Sequence, residues 1–137
     1  MTSLHIWPIL VASVVAFGIG ALWYSPILFG KEWMALTKTS EADIATAKGS
    51  SMVWRYIVQF IITVVTFALL AFVMSITGSD TAGEGMFIAV LAWIGFPVMA
   101  AIGDMLWQKK PAKLAVITLL GTLVCWLAGG AIIAAWR

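Results

Sequence analysis

Histidine and cysteine each occur once in this chain, at His5 and Cys125, and charged side chains make up only 10% of it. A lone cysteine cannot close a disulfide within the chain, and Cys125, inside an apolar run, has the character of a small packing residue. A lone histidine leaves a His-based metal centre without partners. No Ser/His/Asp or Cys/His arrangement has all its members. Gly18-x-Gly20 and Gly129-Gly130 lie inside apolar runs, without the strand–loop–helix setting that phosphate-binding glycines need. These absences set the expectation of a non-enzymatic protein with no metal and no cofactor.

The scarcity of charge excludes more. Apolar residues make up 63% of the chain and the mean hydropathy is +1.05, whereas a soluble domain has about 45–50% apolar and about 25% charged residues. A chain of 137 residues cannot hide that much apolar surface in its own core. The surplus has to face lipid. The net charge of +2 gives no reason to expect nucleic acid, because Lys and Arg sit in short connections and not on a soluble basic face.

Four apolar runs of the length that crosses a bilayer stand near residues 6–24, 56–76, 86–107 and 114–136. The start, MTSLHIWP, has no Lys or Arg, so the first run is expected to be a retained helix and not a cleaved signal. The expected fold is therefore an all-α membrane protein of four transmembrane helices. The first connection carries Lys31, Lys38, Lys48 and Arg55, and the third, QKKPAK, carries Lys109, Lys110 and Lys113. The second, TGSDTAGEG, has Asp80 and Glu84 and no basic residue. Basic loops stay in the cytoplasm, so both termini are expected on the non-cytoplasmic side of the cell membrane. Trp7 and Trp136 would mark the outer interface, and Trp33, Trp54 and Trp107 the inner one. Trp93 and Trp126 fall deep in their runs and either face a neighbouring helix or face lipid.

The long first connection is expected to hold short helices on the cytoplasmic surface, at about 26–38 and 41–48. The second follows from Ser40-Glu41-Ala42-Asp43, which has capping-box spacing, with Gly49 as its stop. The first follows from GALWYSPILFGKEWM, residues 20–34. Proline pushes Ser25 out of helical geometry, and Ser-Pro is a favourable helix start, so one helix is expected to end near Tyr24 and another to begin at Pro26. Ile27, Leu28, Phe29, Trp33 and Met34, mixed with Lys31 and Glu32, suit a helix lying in the headgroup region. A single kinked helix is the alternative.

The stretch WYSPILFGKEWM, with Trp23, Tyr24, Ser25, Pro26, Gly30 and Trp33, resembles the signature of small four-helix membrane proteins catalogued as domain of unknown function number 1761. A second match to that family lies in GDMLWQKKPAKLAVITLLGTLVCWLAGGAIIAAW, where Asp104, Trp107, Lys109, Lys110, Pro111 and Lys113 fit the family's pattern. Gln108 stands where that pattern has an acidic residue. The resemblance covers essentially the whole chain. It implies a multi-pass membrane protein and brings no activity with it.

Asp104 is the only acidic residue within an expected span, and such residues usually face protein or water. An ion pair with Arg55, at similar depth on the second helix, is the expected geometry. The alternative is that Asp104 ties helix ends together through Lys109 or Lys113. Arg55, Gln59, Thr63 and Thr66 form one stripe, and Thr118, Thr122, Cys125 and Gly129 another. Ser13, Ala16 and Gly20 lie on the first helix, Gly95 and Gly103 on the third. Small, weakly polar faces of this kind pack membrane helices closely. Two functions are compatible with them. One is assembly in the bilayer, as a homo-oligomer or with a membrane partner. The other is a small oligomeric channel or secondary transporter whose path is lined by Asp104, Arg55 and Gln59.

Overall fold

A computed structural model describes residues 4–39 and 50–136, which form helices and the turns between them, with no strand among the described residues. Helix α1 spans Ile6–Trp23, α2 Gly30–Leu36, α3 Ser50–Thr77, α4 Ala82–Trp93, α5 Met99–Trp107 and α6 Ala112–Ala135. A π-helical turn, Ile94–Val98, joins α4 to α5. Four spans are long and apolar enough to cross a bilayer: Ile6–Trp23, Met52–Thr77, Ala82–Trp107 and Ala112–Ala135. The expected short helix at 41–48 lies outside the described residues.

The bundle is organised around α6, which packs on α4 along one side and on α1 along the other, while α3 packs mainly on α1. Ile9, Ala12 and Ala16 of α1, Phe67, Leu70, Ala71 and Met74 of α3, and Ile133 and Ala134 of α6 make the core. The core lies toward the end of the bundle that holds the 78–81 connection. Two of its contacts explain why. A Cβ on Gly85 would collide with the Gly130 carbonyl and lie 2.6 Å from the Ala134 Cβ; one on Gly130 would lie 2.6 Å from the Gly85 carbonyl oxygen. Gly85 and Ala89 cross Gly130 and Ala134, so two small-x-x-x-small pairs bring the backbones together. Beside them, the Phe67 ring occupies the space over Gly129.

Two helices start earlier than the charges suggest. Helix α3 begins at Ser50, so Arg55 lies within it and does not mark its boundary. Helix α4 begins at Ala82 because Thr81 and Glu84 form a capping box. The Glu84 carboxylate accepts from the Thr81 amide at 3.1 Å, and the Glu84 amide donates to Thr81 Oγ1 at 3.2 Å. The Thr-x-x-Glu spacing carries this signal in the sequence.

The break in α4–α5 has a single cause. Pro97 lies inside the helix, lacks an amide hydrogen and crowds the carbonyl one turn back, so the backbone widens into a π turn around it. Past that turn the span separates from α6: α5 packs on α6 far less than α4 does. The opening this leaves is the setting of the candidate site.

Candidate functional site

The opening is a cleft of about 180 Å³ between α2, α5 and α6. It is lined by Trp33 of α2 and Thr37 at its C-cap, Ala101, Asp104 and Met105 of α5, Lys110 of the connection, and Leu114, Ala115 and Thr118 of α6. Its shape depends on how the chain turns at Ser25-Pro26.

Helix α1 ends at Trp23 because Pro26 cannot donate the next helical bond. The Leu22 carbonyl is taken instead by the Ser25 amide at 3.1 Å and the Ser25 hydroxyl at 2.7 Å. The Phe29 amide then donates to the Trp23 carbonyl at 3.0 Å and the Gly30 amide to the Ser25 carbonyl at 2.9 Å, closing a compact turn. Gly30 fits this turn because a Cβ there would strike the Tyr24 carbonyl oxygen and the Ser25 peptide. The break expected at Ser25-Pro26 is present, so there is no single kinked helix. The expected restart at Pro26 is corrected: α2 begins at Gly30 with Phe29 at its cap position, and the Ser25 hydroxyl binds backward and does not cap forward.

The turn is fastened to α6 by Trp23. Its indole Nε1 donates to the Ile117 carbonyl at 2.9 Å, and its ring occupies the space where a Gly121 side chain would be, 2.9 Å from a Cβ built there. Phe29 stacks against Trp23 at 4.7 Å, and Tyr24 meets Trp33 edge-on at 5.9 Å. A second indole, Trp93 Nε1, donates to the Leu119 carbonyl at 2.8 Å. Of the two deep indoles, Trp93 thus faces a neighbouring helix, and Trp126 packs partly buried against the core. Two tryptophans from different spans thereby hold one turn of α6.

Ionic contacts at this end are exposed. Asp104 Oδ2 lies 3.4 Å from Lys110 Nζ, and Asp104 Oδ1 accepts from Gln108 Nε2 at 3.3 Å. Lys113 Nζ lies 3.2 Å from Glu32 Oε2 and ties α6 to α2. The expected Asp104–Arg55 pair is not formed, because α3 has no substantial packing with α5 and Arg55 is exposed on its own helix. Neither Lys109 nor Lys113 is the partner of Asp104; Lys110 is.

The polar stripes also resolve locally. Gln59 is exposed. Thr63, Thr66, Thr118 and Thr122 each donate to the carbonyl four residues back in their own helix, at 2.9, 2.9, 3.0 and 2.9 Å. Cys125 Sγ reaches the Ala16 carbonyl at 3.5 Å, and Ser13 is buried and bonded to the Ile9 carbonyl at 2.7 Å. Asp104 and Thr118 therefore meet at the cleft, whereas Arg55, Gln59 and Thr63 lie elsewhere on α3. Gly95 and Gly103, expected to be packing glycines, have open space beside them, as does Gly20. Gly129, expected on the fourth-helix stripe, does admit a neighbour, the Phe67 ring, as Gly121 admits Trp23. Gly85 and Gly130 bring backbones together, and their signal was the small-x-x-x-small spacing shared by Gly85-Ala89 and Gly130-Ala134.

A family model described as Protein of unknown function (DUF1761) matches residues 7–134. The chain belongs to this family. In this member of DUF1761 the matched region takes in the whole Trp23–Trp33 turn, the cleft and the glycine crossing. Neither a curated protein nor a solved structure matches the chain.

Proposed function

We propose that this DUF1761 protein is a non-enzymatic, multi-pass protein of the cell membrane, with both termini outside the cytoplasm, that works by assembling with copies of itself or with a membrane partner. The observation that carries this reading is the openness of the third span. Only 11% of its most apolar stretch is buried, against 28% in the first and fourth spans and 22% in the second. Gly95 and Phe96 at the π turn, and Met99, Ile102 and Leu106 beyond it, are exposed. Contact between membrane helices gains most from close packing of surfaces with small residues, and Gly95 supplies one on this face.

Orientation rests on the ends of the bundle. Lys31, Lys38, Arg55, Lys109, Lys110 and Lys113 gather at the end where α2 lies, and Asp80 and Glu84 at the other, a distribution that supports a cytoplasmic α2 end under the positive-inside rule. Helix α2 then lies along the inner surface, with Trp33 at headgroup level. A transport path lined by Asp104, Arg55 and Gln59 within one chain gains no support, since these residues lie on separate faces.

Mass measurement of protein released directly from its membrane tests the assembly. The expected result is a defined oligomer or a stoichiometric partner, reduced to a monomer by Gly95→Trp combined with Ile102→Trp. Both side chains would point into open space in the single chain, so its fold should survive. Monomers alone from the unmodified protein, with nothing co-purifying, would contradict the proposal.

A further inference from the structure

We infer that the cleft between α2, α5 and α6 binds the phosphoethanolamine headgroup of a membrane phospholipid, with the acyl chains lying along the outer flank of α5. This inference is independent of whether the protein assembles.

The polar part of the cleft is a dipole. Asp104 and Lys110 are 3.4 Å apart, with side chains 40% and 50% exposed. That separation is long for a charge-assisted bond, which is about 2.7–2.9 Å. The pair is also far from saturated. An ammonium has three donors and a carboxylate about four acceptor positions, and the bonds that reach Asp104 from Gln108 and Lys110 occupy one on each oxygen. A ligand that brings an anion to Lys110 and a cation to Asp104 therefore satisfies both without leaving either unpaired. A purely anionic headgroup meets the Asp104 carboxylate, and a purely cationic one meets Lys110. Phosphoethanolamine carries the two charges side by side. Trp33 lines the same cleft, and an aromatic ring there favours an ammonium.

Size and surroundings select a lipid over a soluble zwitterion. The cleft, about 180 Å³, is of a size for a headgroup and too small for a whole lipid. Its floor is apolar, with Ala101, Met105, Leu114 and Ala115. Beside it Trp107, one turn along α5 from Asp104, is 87% exposed. An acyl chain attached to a headgroup in the cleft has an apolar surface to follow; a free zwitterion leaves that surface unused. The neighbouring Lys113 is engaged with Glu32 and does not line the cleft.

Native mass spectrometry of the purified protein, titrated with phosphatidylethanolamine or phosphatidylglycerol of identical acyl chains, tests the inference. The expected preference is about tenfold for the zwitterionic lipid, the effect of one additional charge-assisted contact. Asp104→Asn should abolish that preference, whereas Lys110→Gln should weaken binding of both lipids, since both carry the phosphate, and leave the preference in place. Ala101→Leu, which fills the cleft without altering charge, should remove bound lipid. Arg55→Gln, on a helix away from the cleft, should change nothing, and circular dichroism checks the fold of each variant. Equal binding of the two lipids by the unmodified protein would overturn the inference, as would undiminished binding in a folded Ala101→Leu variant. Displacement of the lipid by free phosphoethanolamine at equal concentration would overturn the choice of a lipid.

Discussion

The two ends of the bundle are held together by opposite means. At the end with the 78–81 connection, backbones touch: Gly85 lies on Gly130, Phe67 fills the space over Gly129, and the core residues of three spans converge. At the basic end, side chains reach across gaps. Trp23 and Trp93 donate to carbonyls of α6, and the exposed Lys113–Glu32 pair ties α6 to α2. Direct backbone contact leaves no room for change and no room for a ligand. Long side chains leave a cleft. The helix stops differ in the same sense. Gly78 ends α3 with a positive φ of 71°, where glycine is unstrained, but at the basic end Lys38 and Lys109 take φ of 57° and 54°. Lysine in that region costs on the order of 1 kcal/mol. The basic end keeps positive charge at positions where backbone ease favours glycine.

Substitutions can break this contrast, beginning with the closed end. Gly85→Leu or Gly130→Val forces a side chain into an opposing backbone that cannot yield. The expected loss is on the order of 3 kcal/mol or more, measured as unfolding in mixed micelles. Gly18→Ala and Gly103→Ala, where a Cβ meets nothing within 4 Å, should stay within about 0.5 kcal/mol of the parent. Equal costs at all four positions would mean that the helices do not cross at Gly85 and Gly130.

At the basic end the effects should be smaller. Trp23→Phe removes the indole donor to Ile117 and part of the ring over Gly121, at an expected cost of about 1–3 kcal/mol in the same assay. Lys38→Gly should stabilise by up to about 1 kcal/mol, because it relieves a positive φ. Glu32→Gln breaks an exposed pair with Lys113 and should cost at most about 1 kcal/mol, less in high salt. A large loss from Glu32→Gln would show that the ion pair, and not Trp23, fastens α2.

Much of the fold is legible in the sequence because hydropathy and proline act locally. The four apolar spans follow from run length, and the break at Tyr24–Ser25 follows from one missing amide hydrogen on Pro26. What was not legible depends on partners far apart in the chain. Nothing near Trp23 indicates that its indole will reach Ile117, or that Gly121 is small in order to admit it. Arg55 and Asp104 share a depth in the membrane, but depth says nothing of which helices are neighbours, and α3 and α5 are not. The start of α4 and the π turn at Pro97 were within reach of local signals, Thr81-x-x-Glu84 and a proline inside a span. The cleft was not, because it exists only where that turn carries α5 away from α6.

Distances between paired spin labels test the central contrast most directly. In a Cys125→Ala background, labels at Thr81 and Trp136 report on the closed end, and labels at Lys38 and Gln108 on the basic end; all four positions are exposed. In lipid bilayers the first pair should give a narrow distance distribution and the second a distinctly broader one. Distributions of equal width, or a broader one at Thr81 and Trp136, would contradict the account.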